Sequence, residues 1–209
     1  MSDYKFLVKY IDRKEHEHIK TIVEFGSRDG LDAIYLAENF KNAKVYTLEC
    51  NPRQIEVCQN NIKNSTFKDR IVFINACVSD KKEKKRFYHY PENVGASSLY
   101  IHQDKRNEND YSYIETVTAE EVLSEFGVKD IDLLCMDIQG HELQAMVGLG
   151  NLLDTVKYIQ LETLRNDLKN SYLNSPSRSE TLKPLKNFTL VLEMPFGIET
   201  NIIFKKNTI

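Results

Sequence analysis

The sequence contains no apolar run that approaches the roughly 20 residues needed to cross a bilayer. Its first residues, Met1 to Lys5, also lack the basic and then apolar pattern of a secretory signal peptide. Both observations argue against a membrane-spanning or exported protein, and we expect the chain to be cytoplasmic.

Cysteine is scarce, and its spacing is not that of a metal or redox motif. The four cysteines, Cys50, Cys58, Cys77 and Cys135, form no Cys-x-x-Cys pair, and all but Cys58 lie in or beside expected strands. Because the expected compartment is reducing, we expect free thiols.

The segment 1–20 ends in His16 and His18, which resemble the beginning of a metal site. Two residues apart, they share a face of a strand but not of a helix, and no further ligand is near in sequence. We therefore expect a solvated lead-in segment.

The chain also has no excess of basic residues. Its formal net charge is -3, so no overall positive field attracts it to nucleic acid or anionic lipid. Its 209 residues, 41% of them hydrophobic, are enough for one folded core. With no internal repeat or long linker, we expect a single domain over residues 1–209.

The stretch from Thr21 to Gly30 predicts a strand, a glycine turn and the start of a helix. Apolar residues surround Glu24, and Gly26 and Gly30 bracket a turn before a segment with helical spacing. Such junctions bind nucleotide-like ligands. Glu-x-Gly-x-x-x-Gly is not the pyrophosphate motif, and its acid suits a ligand with an amino group and ribose hydroxyls, such as S-adenosylmethionine. The alternative is an ordinary turn without a ligand.

The next two strands add polar residues at the same sheet edge. A strand over 43–48 ends in Glu49, about 20 residues past the glycine turn, where a doubly wound fold places a carboxylate on ribose hydroxyls. A strand over 71–76 contains Asn75, which either hydrogen-bonds an adenine edge or is ordinary turn chemistry.

Residues 81–115 are expected to form an insertion of a hairpin and a flap. The charge run 81–86 favours a solvated hairpin turn, with a strand over 87–90. A loop over 91–99 and a polar flap over 101–109 then lead to a strand over 113–117.

The second half again alternates helices and strands. Thr118 and Glu121 predict a capping box for a helix over 119–126. A buried strand over 131–136 ends in Asp137, and a strand over 156–161 ends in Glu162. After a short helix near 181–186, strands over 188–193 and 201–204 predict an antiparallel hairpin, with Pro195 and Gly197 in its loop.

This order is typical of a Rossmann-like class I methyltransferase fold. It is an α/β fold with a mostly parallel seven-stranded sheet, an antiparallel edge strand and helices on both faces. Over roughly residues 20–205 the chain resembles the FkbM family in an ordered set of motifs: 23–30, 48–52, 75–80, 136–142, 160–162 and 201–204.

The resemblance implies an S-adenosylmethionine-dependent O-methyltransferase whose acceptor is a hydroxyl of a sugar, glycan or polyketide. A deoxysugar such as rhamnose is one candidate. The cofactor-binding residues that it implies are Glu24, Gly26, Ser27, Gly30, Glu49, Asn51, Asn75, Ala76, Ser97, Ser98 and Asp137. The family usually has an acid where this chain has Gln139.

Methyl transfer to an alcohol also requires a proton acceptor. We expect Asp137 as a base or orienting residue and His141 as its partner, since an imidazole titrates near neutral pH. The alternative for His141 is a surface histidine at a helix start. Mg²⁺ held by Asp137 and Glu162 is a less favoured variant, because the adjacent Asp-Asp pair that would support it is absent.

Other functions stay open at this point. The chain could be a methyltransferase for another small molecule, or a binding or scaffold module within a glycan-building polypeptide. We expect a small-molecule or glycan acceptor, other glycan-synthesis domains as candidate partners, and no nucleic acid.

Overall fold

The computed structural model describes residues 4–90, 92–165, 171–197 and 199–207. Their strands are β1 Thr21–Phe25, β2 Lys44–Glu49, β3 Ile71–Asn75, β4 Cys77–Ser79, β5 Lys84–Tyr88, β6 Tyr111–Thr118, β7 Leu133–Met136, β8 Tyr158–Leu164, β9 Phe188–Phe196 and β10 Glu199–Lys206. The helices are α1 Lys5–Tyr10, α2 Leu31–Asn39, α3 Ile55–Asn64, α4 Ala119–Glu125, α5 Glu142–Gly148 and α6 Arg178–Thr181.

Seven strands form the main sheet in the order β3-β2-β1-β7-β8-β10-β9. The first five strands in this order, from β3 to β8, are parallel to their neighbours. Strand β10 runs antiparallel to both β8 and β9. The predicted fold class is thus confirmed, and the antiparallel strand lies one place in from the edge. The order reverses between β1 and β7, which is where open α/β sheets bind ligands.

Helices cover both faces of this sheet because successive strand residues point to opposite sides. Ile22 faces a core made with α1, α2 and α3, whereas Val23 faces a core made with α4 and α5. The hydroxyl of Thr118 accepts a hydrogen bond from the Glu121 N–H at 3.3 Å, which confirms Thr118 as the N-cap of α4. The Glu121 carboxylate lies 3.2 Å from the Thr118 hydroxyl rather than bonding the Thr118 N–H, so the predicted capping box is half formed.

The expectation of a solvated lead-in segment was wrong. Tyr4, Leu7 and Val8 of this segment are buried in the core beneath α2 and α3. His16 lies in a 3-10 turn, not a strand, with Nε2 at 3.2 Å and 3.1 Å from the carbonyl oxygens of Val8 and Ile11. The segment therefore belongs to the folded core.

Strands β5 and β6 of the insertion join β4, which precedes it, in a three-stranded sheet in the order β4-β6-β5. Strand β4 was not predicted, and β5 begins at Lys84, so the basic run is not simply a solvated turn. The Nζ atoms of Lys81 and Lys85 lie 3.3 Å and 3.0 Å from the Glu83 carboxylate, which offsets part of the positive charge of this run.

The late strands are longer than predicted. Strand β8 continues to Leu164, so Glu162 lies within the strand, where it pairs with Asn201 of β10. Pro195 belongs to β9 rather than to the loop, and an edge strand tolerates proline because its outer N–H groups are unpaired. The short helix is α6, which ends at Thr181, followed by a 3-10 turn over Lys183–Leu185.

None of the helices that the structure describes is long and apolar enough to cross a membrane. All four cysteines are free thiols.

Candidate functional site

The glycine turn after β1 brings that strand against the end of β7. Gly26 has a φ of 88°, and a Cβ atom there would lie 2.0 Å from the carbonyl oxygen of Asp137. The Asp137 N–H donates to the Phe25 carbonyl at 3.1 Å. Because only glycine allows this approach, the turn joins the first strand to the predicted catalytic residue.

Glu49 holds the glycine turn from the other side. Its carboxylate accepts backbone N–H groups of Arg28 at 2.6 Å, Cys50 at 2.8 Å and Asn51 at 2.6 Å. Burial raises the pKa of Glu49 above its usual value, and these three donors oppose that rise. The acid is therefore fixed between β2 and the turn, as a ribose-binding carboxylate would have to be.

Glu24 lies fully buried beneath the turn. Its Oε2 accepts a hydrogen bond from the Thr47 hydroxyl, while Oε1 has no hydrogen-bond partner among the residues that the structure describes. Burial, and then the charge of Asp32, raise the pKa of Glu24 to about 8. Near neutral pH this carboxyl is therefore largely protonated, and a protonated carboxyl can donate as well as accept a hydrogen bond.

A cavity of about 580 Å³ opens at this edge of the sheet. Several of the predicted site residues line it: Gly26, Glu49, Asn51, Ala76, Ser97, Asp137, His141 and Glu162. The other predicted residues, Glu24, Ser27, Gly30, Asn75 and Ser98, are not among its lining residues.

The predicted residues outside the lining have identifiable positions. Ser27 lies 3.6 Å from the Cys58 thiol, and Gly30 is the N-cap residue before α2, with a φ of 80°. Asn75 is exposed at the end of β3, beside Glu49 in register. Ser98 donates to the backbone carbonyl of Gln139 at 2.7 Å. Ser98 therefore contacts a residue of the cavity wall, whereas Asn75 has no place in that wall as an adenine-binding residue would.

A hydrogen-bonded network joins the two acids at the far end of the cavity. The side-chain amide of Gln139 donates to Asp137 and lies 3.3 Å from Glu162. The Tyr172 hydroxyl contacts the amide oxygen of Gln139 and lies 3.1 Å from the Ala96 carbonyl. In the sequence, Gln139 was noted only because the family usually has an acid at this position. No motif or spacing indicated that Tyr172 belongs to the site.

His141 is buried rather than at the surface. It precedes α5, its Nε2 lies 3.0 Å from the Ser79 hydroxyl, and its Nδ1 has no partner among the described residues. Burial lowers the pKa of His141 to about 3. The expectation that it titrates near neutral pH was therefore wrong, because a buried imidazole beside a hydroxyl stays neutral.

Asp137 and Glu162, the two acids considered as Mg²⁺ ligands, do not form a carboxylate cluster of the kind that binds a divalent cation. Within the ranges that the structure describes, no three His, Cys, Asp or Glu side chains are grouped to bind an ion. An amide N–H lies between Asp137 and Glu162, and it donates a hydrogen bond rather than accepting a cation.

The N-terminal segment supplies a wall that the sequence did not indicate. Tyr4, Lys5 and Phe6 at the start of α1 line the cavity. A loop that includes Asn93 and Gly95 lies opposite Arg28, with the Asn93 side chain accepting the Gly95 N–H at 3.1 Å. The first wall comes from a segment without a recognisable motif, whereas the second belongs to the predicted loop that carries Ser97.

Comparisons with known proteins agree with this geometry. The methyltransferase FkbM domain matches residues 24–174. The 2-O-methyltransferase NoeI of Sinorhizobium fredii is 27% identical over 198 residues, which cover 88% of this chain and 78% of that protein.

Two solved structures share the fold over almost the whole chain. A putative O-methyltransferase from Klebsiella pneumoniae has a TM-score of 0.56 at 13% identity and covers 98% of this chain and 81% of its own. TrmK of M. capricolum, solved with S-adenosyl-homocysteine, has a TM-score of 0.54 at 13% identity, with coverages of 97% and 69%. At these identities the likeness concerns the fold alone.

The matched range 24–174 contains the glycine turn, Glu49, Asp137 and most of the main sheet. Site geometry and family match therefore lead to the same conclusion. This chain belongs to the FkbM methyltransferase family and is an S-adenosylmethionine-dependent methyltransferase.

Proposed function

We propose that the protein transfers a methyl group from S-adenosylmethionine to a hydroxyl of a sugar or glycan. The observation that carries this proposal is the position of Glu49 and Asp137, two acids on separate strands that line one cavity. One acid suits a ribose and the other suits an acceptor hydroxyl. A relative named for 2-O-methyl transfer supports oxygen as the methylated atom.

The residues at the glycine turn fit S-adenosylmethionine, which when bound supplies an electrophilic sulfonium methyl group. Glu49 would hold the ribose hydroxyls, and Gly26 would let the ligand approach the backbone closely. Glu24 lies beneath the turn, where the Thr47 hydroxyl donates to its Oε2, and would support this site from behind rather than touch the ligand. Ala76 and Cys77, after β3, would form the wall beside the adenine.

The acceptor would lie at the opposite end of the cavity. Asp137 and Glu162 line that end together with His102, Tyr172 and Asn201, a set that mixes hydrogen-bonding groups with aromatic rings. Such a set suits a sugar, which presents hydroxyls at its edge and C–H groups on its faces.

Asp137 would accept the hydroxyl proton as methyl transfer proceeds. An alcohol becomes a better nucleophile when a positioned base takes its proton. His141 is a poorer candidate for the base, because its Nε2 is already engaged with Ser79. We assign His141 to holding the start of α5 against β4 through its contact with Ser79.

The first test separates cofactor binding from turnover. We expect Glu49→Ala to weaken S-adenosylmethionine binding at least tenfold in calorimetry, because the ribose hydroxyls lose their acceptor. We expect Asp137→Asn to lower turnover at least 100-fold, as removal of a general base does, while the dissociation constant changes less than threefold. Turnover is measured with labelled methyl donor against a panel of sugars and glycosides.

The matched control is Glu56→Ala, which removes the same charge from the exposed face of α3. This variant should bind and turn over like the natural chain. Natural affinity in Glu49→Ala would contradict the assigned ribose site. Natural turnover in Asp137→Asn would remove Asp137 from the mechanism.

A further inference from the structure

One side chain contacts both acids at the acceptor end of the cavity. Gln139 Nε2 donates to Oδ1 of Asp137 and lies 3.3 Å from Oε2 of Glu162. The acids lie side by side because Met136 and Leu161, the residues before them, are paired in register. A primary amide has two N–H donors, so it can give one to each carboxylate.

The orientation of this amide is fixed from its other end. The Tyr172 hydroxyl contacts the amide oxygen, which directs the nitrogen toward the acids. The Ser98 hydroxyl donates to the backbone carbonyl of Gln139 at 2.7 Å. Gln139 also has a φ of 56°, a conformation that is uncommon for a residue other than glycine. The contacts with Tyr172 and Ser98 thus hold Gln139 in this uncommon conformation.

Electrostatics explain why a donor is needed there. Two carboxylates at adjacent positions repel each other, and the partial burial of Asp137 and Glu162 strengthens this repulsion. A cation between them would offset it, and so would N–H groups directed at both. The structure places the Gln139 amide at that position, where its partial positive charge serves both acids without adding a full charge.

We propose that Gln139 is a positioning residue that holds Asp137 and Glu162 together in place of a divalent cation. The proposal rests on the proposed function, because Asp137 is the expected proton acceptor. It follows that methyl transfer by the natural chain does not depend on added metal. It also follows that Gln139→Glu, which places three carboxylates together, creates a cation site.

The experiment measures Mn²⁺ binding and methyl transfer separately. By calorimetry on chelator-treated protein without substrates, we expect Gln139→Glu to bind Mn²⁺ at least tenfold more tightly than the natural chain. Chelator should change turnover of the natural chain less than twofold. It should lower turnover of Gln139→Glu at least tenfold relative to the same variant with Mn²⁺.

A second variant tests positioning without a new charge. Gln139→Leu keeps a similar volume but removes both donors, so we expect turnover to fall at least tenfold while S-adenosylmethionine affinity changes less than twofold. Gln59→Glu adds the same charge as Gln139→Glu on the exposed face of α3 and should bind no Mn²⁺.

Several results would overturn the inference. The first is that the natural chain loses turnover in chelator and regains it with Mg²⁺ or Mn²⁺. The second is that Gln139→Glu binds Mn²⁺ no better than the natural chain. The third is that Gln139→Leu keeps natural turnover. Failure of the proposed function would appear differently, as no methylated product from any sugar with the natural chain. The Mn²⁺ measurement needs no substrate and stands apart from that outcome.

Discussion

At the scale of single residues, burial decides the charge state of the groups around the site. Glu24 and His141 are both almost inaccessible to solvent, and burial moves their pKa values in opposite directions, to about 8 and about 3. Each shift favours the neutral form, because water that would solvate the charge is absent. Near neutral pH, His141 is therefore uncharged and Glu24 is largely protonated.

The raised pKa of Glu24 has a consequence for stability. The folded chain holds a proton on Glu24 between pH 4.5 and about 8, whereas the unfolded chain has released it. Since the folded state binds more protons in this window, the free energy of unfolding declines as pH rises through it. The natural chain should lose roughly 3 kcal/mol relative to Glu24→Gln between pH 5.5 and 8.

Urea denaturation of both proteins at several pH values measures this difference. Comparison with Glu24→Gln removes the contributions of other titrating groups, including His141, because both proteins contain them. A difference between the two proteins that stays constant with pH would show that Glu24 does not titrate in this window.

At the scale of elements, the glycine turn joins β1, β2 and β7. Glu49 binds the turn from β2, and Gly26 lets the Asp137 backbone approach from β7. The sequence predicted this turn and the strands around it well, because apolar runs and glycines are local signals. It misplaced the ends of β8 and β9, since pairing with β10 sets how far those strands extend.

Two glycine substitutions separate conformational cost from steric conflict. Gly26 and Gly127 have φ values of 88° and 72°, but a Cβ at Gly127 would meet no atom within 4 Å. We expect Gly127→Ala to cost about 1 kcal/mol. Gly26→Ala should cost at least about 2 kcal/mol more, since the Asp137 backbone must move, and it should also weaken S-adenosylmethionine binding.

Denaturation and calorimetry on the two alanine variants give both quantities. Equal losses of stability would mean that β7 adjusts to the added methyl group at no cost. Natural cofactor affinity in Gly26→Ala would mean that the turn is not part of the binding site.

At the scale of the whole molecule, the sheet separates two cores, and the cavity opens where strands end. The sequence predicted the order of strands and which acids reach this edge, because chain direction alone fixes those positions. It could not predict that α1 folds back over the site or that Tyr172 contacts Gln139. Those contacts join residues far apart in sequence, and neither segment has a periodic pattern that indicates its partner.

The two cores should therefore differ in their effect on the cofactor. Leu7 in α1 and Leu123 in α4 are both 0% exposed, and they lie in the cores on opposite faces of the sheet. Truncation of either to alanine should cost about 2–5 kcal/mol, since each leaves a cavity. Only Leu7→Ala should weaken S-adenosylmethionine binding, because Tyr4, Lys5 and Phe6 of its segment line the cavity. Calorimetry at a temperature where both variants remain folded compares them. Equal affinities in the two variants would show that α1 packs beside the site without shaping it.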